Sequence, residues 1–123
     1  AVLLTIKDND KAQILPLAKR FLAIGYRILA TSGTAAFLEE NGLHPTVVAK
    51  LHEQGQPAIL DVIKDKHVDL VINTMGHDDE KNSDGFIIRQ TVIEHHVPLL
   101  TALDTVNALL RSLEMTSFKT TEL

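Results

Sequence analysis

The chain has 123 residues, 45% of them hydrophobic, which suits one compact core and is too short for two ordinary domains. A net charge of −4, with acids and bases interspersed, and an aromatic share of 4% disfavour nucleic-acid binding, since there is neither a basic face for phosphates nor a platform for stacking bases. The absence of cysteine excludes disulfides, thiolate chemistry and a Cys-ligated zinc, and no run of about 18 apolar residues is present to cross a bilayer.

The expected protein is therefore soluble, with a cytoplasmic setting as the default. The N-terminus "AVLLTIKDND" lacks the basic flank and cleavage site of a secretory signal. It also lacks an initiating methionine and begins in an apolar run, so a single domain over residues 1–123, excised from something longer, is expected.

In chain order, Val2 to Ile6 reads as a first strand, followed by Asn9 and Asp10 as a helix cap, with Gln13 three beyond Asp10 as in a capping box. Ile14, Leu17, Ala18 and Phe21 recur at helical spacing until Gly25, and Pro16 is expected to distort the first turns. Arg27 to Ala30 is a second strand. Thr34 to Asn41 is a short helix closed by Gly42, and Thr46 to Ala49 a third strand.

Ala58 to Lys66 forms a helix with Ile59, Leu60, Val62 and Ile63 inward, leading into "VDLVINT", whose unbroken apolar centre suits a strand buried on both faces at the middle of the sheet. A polar loop runs from Gly76 to Asp84. Helix follows from about Phe86 to His96, a last strand from Pro98 to Thr101, and a final helix from Leu103 to Glu114; the tail "MTSFKTTEL" is poorly periodic and expected to fray. Five strands separated by helices imply an α/β fold with a mainly parallel sheet covered on both faces.

Ligands of open parallel sheets bind beyond the carboxyl ends of the strands, where strand order reverses. Those ends carry Lys7 and Lys11, then Thr31, Ser32, Gly33 and Thr34, then Lys50 and His52, then Asn73 and Thr74, and lastly Thr101. Nearly all donate hydrogen bonds. Thr31 to Thr34 supply hydroxyls and backbone N–H groups at a helix start, where dipole and unpaired donors favour a phosphate; Gly33 permits close approach, and Lys11 and Lys50 neutralise charge.

Each residue also has an ordinary reading. A Thr or Ser before a helix is often a plain N-cap, a lone lysine is often solvated, and Asn73-Thr74 can simply end a strand. The convergence of all of them on one end of the sheet favours the binding site. His77, Asp78, Asp79 and Glu80 read as a solvated acidic loop rather than a metal site, and His95-His96 as cations placed at a helix end. No metal is assigned, and spacing reveals no nucleophile and no Walker or dinucleotide fingerprint.

Taken together, "DNDK", "GYRILATSGTAAFLEENG", "AKLHE", "DLVINT" and "DGFIIRQTVIEHHVPLLTALDT" cover almost the whole chain and resemble the methylglyoxal synthase-like regulatory domain that ends the carbamoyl phosphate synthase large subunit. "SDGFIIRQ" and "TALDT" look most like the pyrimidine-dedicated form. The resemblance implies a three-layer sandwich with strand order 3-2-1-4-5 and an allosteric pocket without catalytic residues. Phosphate-binding positions fall on Lys11, Thr31, Thr34 and Lys50, with Asn73 and Thr74 near the sugar or base.

UMP is the implied effector, with phosphoribosyl pyrophosphate an activator competing for an overlapping site. The implied partners are the rest of the large subunit and, through it, the glutamine amidotransferase small subunit. ATP, Mg or Mn, and K belong to the parent ligase and no cofactor to this domain. Met75 stands where some members carry a further effector-binding threonine, and Thr101 matches a threonine of the ornithine site in ornithine-responsive members.

The rival reading is methylglyoxal synthase, which eliminates phosphate from dihydroxyacetone phosphate with a carboxylate base. Gln56 occupies the position matching that base, and an amide cannot serve as one; Asp61 lies a helical turn further on.

Overall fold

The computed structural model describes residues 1–49, 58–65, 67–74 and 84–122, with the backbone alone described at 84–86 and 117–122. Strand β1 (Val2–Ile6) leads through a 3-10 turn at Asp8–Asp10 into helix α1 (Lys11–Ala23). Then follow β2 (Ile28–Thr31), α2 (Ser32–Glu40), β3 (Thr46–Val48), α3 (Ile59–Lys64), β4 (Leu70–Thr74), α4 (Asp84–Glu94), β5 (Leu99–Leu100) and α5 (Leu103–Glu122).

The five strands form one sheet of order 3-2-1-4-5, and every neighbouring pair runs parallel. Because β-strand side chains alternate between faces, each strand feeds two cores. On one face Val2, Leu4, Ile28, Ala30 and Ile72 pack against α1, α2 and α5; on the other Leu3, Val48 and Val71 pack against α3 and α4. This is the expected three-layer α/β sandwich. The middle strand is β1 rather than β4, a difference that apolar content does not reveal because both strands are buried along their whole length.

Local chemistry explains the element ends. The anticipated capping box at Asp10 does not form: Asp10 already has helical dihedrals as the last residue of the 3-10 turn, its carboxylate lies 3.8 Å from Lys7 Nζ, and it caps no N–H. Pro16 is accommodated inside α1, where it and Ala12, whose carbonyl loses its helical donor, are both exposed.

Helix α1 closes with Gly25 in the left-handed region, the Tyr26 N–H bonding back to the Phe21 carbonyl at 3.0 Å while the Tyr26 ring meets Phe21 edge-on. Helix α4 ends in the same way, with His96 at φ 58° in the place glycine usually takes and Val97 N–H bonded to Val92 carbonyl at 3.1 Å. The last helix extends to Glu122, past the expected stop at Glu114, with neither Pro nor Gly between Leu103 and Glu122 to break it.

Candidate functional site

The chain moves from β1 to one side through β2 and β3, then crosses to the other side for β4 and β5. The order therefore reverses between β1 and β4, whose register pairs Thr5 with Asn73 and Ile6 with Thr74 at the carboxyl ends. Lys7, Asp8 and Lys11 leave β1 here, and Thr31 to Thr34 leave β2 beside it.

Lys11 is the first residue of α1, and its side chain is only 17% exposed, so most of it is packed down at the rim. That ammonium stands over Gly33, since a Cβ built there would lie 3.3 Å from Nζ. It also donates to Asp8 Oδ1 at 2.5 Å, and Asp8 is 91% exposed. The residues DNDK and TSGT, far apart in the chain, thus meet in one place, with a carboxylate held against the cation.

Thr31 ends β2 and takes the N-cap position of α2 with extended backbone, yet its side chain makes no cap hydrogen bond. The plain capping role is therefore not the one its hydroxyl performs. Ser32 is half-buried at the first helical position, and Gly33 after it is exposed, so the backbone at the positive end of α2 is approachable from outside.

Thr34 also braces the rim. Its Oγ1, buried, accepts the Ile6 N–H at 3.1 Å and so ties the first turn of α2 to the end of β1. Thr74 does the same across the switch point: Lys7 N–H is shared between Thr74 Oγ1 at 3.0 Å and the Thr74 carbonyl at 3.1 Å. Both threonines hold the rim in shape through backbone donors.

Asn73 is fully buried, and its Nδ2 donates to Thr5 Oγ1 at 3.2 Å. Its Oδ1 is also buried but has no hydrogen-bond partner among the described residues. An unmet buried amide oxygen costs about 1–3 kcal/mol, so its position at the switch point calls for a donor from elsewhere.

Thr5 and Asp8 were not singled out from the sequence. Thr5 is a lone hydroxyl in an apolar strand, where threonine is an ordinary strand former, and only the register shows that it faces Asn73. Asp8 could have been found from its spacing of three to Lys11, which places the two on neighbouring positions of a helical turn.

Lys50, His52, Gln56, Met75 and His77 to Glu80 lie outside the described residues. No group of acidic, histidine or cysteine residues fit for a metal occurs among those described. Thr101 is exposed just after β5, and Asp61 is exposed on α3. His95 Nδ1 lies 2.9 Å from the Thr91 carbonyl, so that ring nitrogen must carry the proton; His96 serves the turn described above. No helix among the described residues is long and apolar enough to cross a membrane.

Comparison with known proteins bears on this arrangement. A family model described as MGS-like domain matches residues 13–101. Methylglyoxal synthase from Elizabethkingia anophelis NUHP1 superposes with a TM-score of 0.72 at 18% identity, covering 89% of this chain and 75% of that one. The structure of ForH superposes with a TM-score of 0.67 at 20% identity, covering 94% and 80% respectively. At such identities the two structures share the fold.

Proposed function

The chain belongs to the MGS-like domain family, and on that premise we propose that it is the effector-binding regulatory domain of a carbamoyl phosphate synthase large subunit, of the pyrimidine-dedicated form, binding UMP or a similar phosphorylated metabolite. The observation that carries this reading is the Lys11 ammonium poised over Gly33 at the positive end of α2. Backbone donors, a helix dipole and a cation converging on one exposed glycine are what a phosphoryl group requires.

In this reading Lys11, Gly33 and the Thr31-Ser32 hydroxyls hold the phosphoryl group, joined by Lys50. Thr34 and Thr74 keep the rim in register, and Asn73 faces the sugar or base. Catalysis belongs to the rest of the parent enzyme, to which this domain contributes a conformational bias. That bias requires the effector to prefer one of two states of the parent.

The alternative chemistry, phosphate elimination from dihydroxyacetone phosphate, needs a carboxylate base. Asp61 is turned to solvent on a helix whose buried side chains Ile59, Val62 and Ile63 face the sheet, which favours binding without turnover.

Calorimetric titration with UMP is expected to give measurable affinity that falls strongly in Lys11→Ala, Thr31→Ala and Lys50→Ala. Unchanged affinity in all three defeats the site. Release of phosphate from dihydroxyacetone phosphate above background would replace the regulatory reading with the enzymatic one.

A further inference from the structure

Resting on that reading, we propose that Thr5 is the positioning residue that makes the site select phosphorylated ligands carrying a hydrogen-bond donor, such as a sugar hydroxyl or a base N–H, over bare phosphate. It does so by pinning the Asn73 amide with Oδ1 left open as an acceptor.

The geometry begins with strand alternation. Leu3 on β1 and Val71 on β4 belong to the core beneath α3 and α4, and Leu29 on β2 packs against the same core. Two residues further along each strand come Thr5, Asn73 and Thr31, which therefore share that face. The strand registers place Thr5 beside Asn73, and the pairing of Leu3 with Leu29 puts Thr31 next to Thr5 as the strands continue. A row of three polar side chains, 5%, 7% and 0% exposed in the order Thr31, Thr5, Asn73, thus closes the apolar face at the ligand end of the sheet.

Within this row the hydrogen bonding is uneven. Asn73 Nδ2 has a partner in Thr5 Oγ1 at 3.2 Å, whereas Asn73 Oδ1, equally buried, has none among the described residues. A buried carbonyl oxygen left unmet by the surrounding side chains rewards an incoming donor and disfavours a ligand that lacks one. Thr5 supplies the only hydrogen bond that the Asn73 side chain makes among the described residues, so it sets which end of the amide stays open.

Scale favours an ester over a bare anion. The turn that follows Thr31 and the Asn73 amide are separated by two strand spacings, roughly 10 Å, more than one phosphate ion covers and within the reach of a sugar phosphate.

The test uses the 123-residue chain and two variants, Thr5→Val, which keeps the shape and removes the hydroxyl, and Thr5→Ser, which keeps the hydroxyl. UMP and inorganic phosphate are titrated by calorimetry, and exchange of the Asn73 side-chain amide protons is followed by NMR without ligand. Thr5→Val is expected to bind UMP about tenfold more weakly while inorganic phosphate changes by less than about twofold, and the Asn73 amide protons exchange faster. Thr5→Ser is expected to behave like the unsubstituted chain in all three measurements.

Equal weakening of both probes, or no weakening of either with unchanged amide exchange, overturns the positioning role. Binding of neither UMP nor phosphate by the unsubstituted chain overturns the site reading itself, and the ligand preference with it. In that event a Thr5→Val protein with faster Asn73 exchange still establishes the pinning contact.

Discussion

Replacing Gly33 with alanine should make the protein more stable and a poorer anion binder at once. Gly33 lies in the first turn of α2 and its φ is not in the left-handed region, so a side chain there carries no backbone strain. Alanine outranks glycine in helix interiors by about 0.5–1 kcal/mol, and the lower end applies in a first turn; ~0.5 kcal/mol corresponds to a rise of about 2 °C in Tm for a chain of this size.

The opposing cost is small without ligand, since the new Cβ would lie 3.3 Å from Lys11 Nζ, the free end of a flexible side chain that can move a few tenths of an ångström. With ligand it is not small. The methyl group fills the space through which a phosphoryl oxygen approaches the α2 backbone and pushes aside the cation that would meet it. Loss of one charge-assisted hydrogen bond, about 1.5–3 kcal/mol, weakens binding roughly 10- to 150-fold. Thermal unfolding and UMP calorimetry on the same preparation read both signs. A Gly33→Ala protein with raised Tm and UMP affinity within about twofold of the parent would refute the claim that an anion sits against this glycine.

Asp8→Asn removes the carboxylate that occupies Lys11 and would repel an incoming phosphate, so affinity for UMP or phosphate is expected to rise by about two- to fivefold, most clearly at low ionic strength; a fall would reverse the assignment. His96→Gly relieves the left-handed backbone at the end of α4 and is expected to stabilise by about 0.5–1 kcal/mol in urea unfolding, a loss of stability counting against that account. The hydrogen bond from Arg20 holds the Glu114 carboxyl below its ordinary value of 4.5. A depressed folded pKa means that this contribution is fully present above the unfolded value and is lost as pH falls through the folded one, so in thermal unfolding Glu114→Gln should lower Tm at neutral pH and flatten its fall below about pH 4.5; an acid-range fall as steep as that of the unsubstituted chain would count against the pair.

Much of the architecture was legible because strand and helix periods differ and the strands of a fully covered sheet are continuously apolar. All five strands fall where the pattern puts them, to within one or two residues. The start of α2 was read at Thr34 rather than Ser32 because Thr-Ser-Gly resembles a loop, yet these residues form its entry turn. Asp10 misled for a related reason: a cap signature in sequence cannot show that a 3-10 turn precedes the helix and has already given the residue helical dihedrals.

At the site, the meeting of Lys11 with Gly33 followed from strand ends sharing one side of the sheet. The division of labour among the threonines did not. Thr34 and Thr74 look like ligand donors in sequence; their hydroxyls also accept backbone N–H groups from Ile6 and Lys7, bonds that depend on which strands become neighbours. Thr5 was invisible for the same reason, since a strand's side-chain pattern does not disclose who stands across from it.

Helix α1 carries Lys11 at its first turn and, nine residues later and roughly 13 Å along its axis, Arg20, which grips Glu114 with two bonds of 2.9 and 2.6 Å and Asn107 with a third of 2.6 Å. The helix is therefore a strut with one foot beside Gly33 and the other bolted to α5. Were the proposed effector to draw Lys11 toward it, the resulting tilt of α1 would pull on α5 through Arg20, giving the last helix a mechanical report of occupancy.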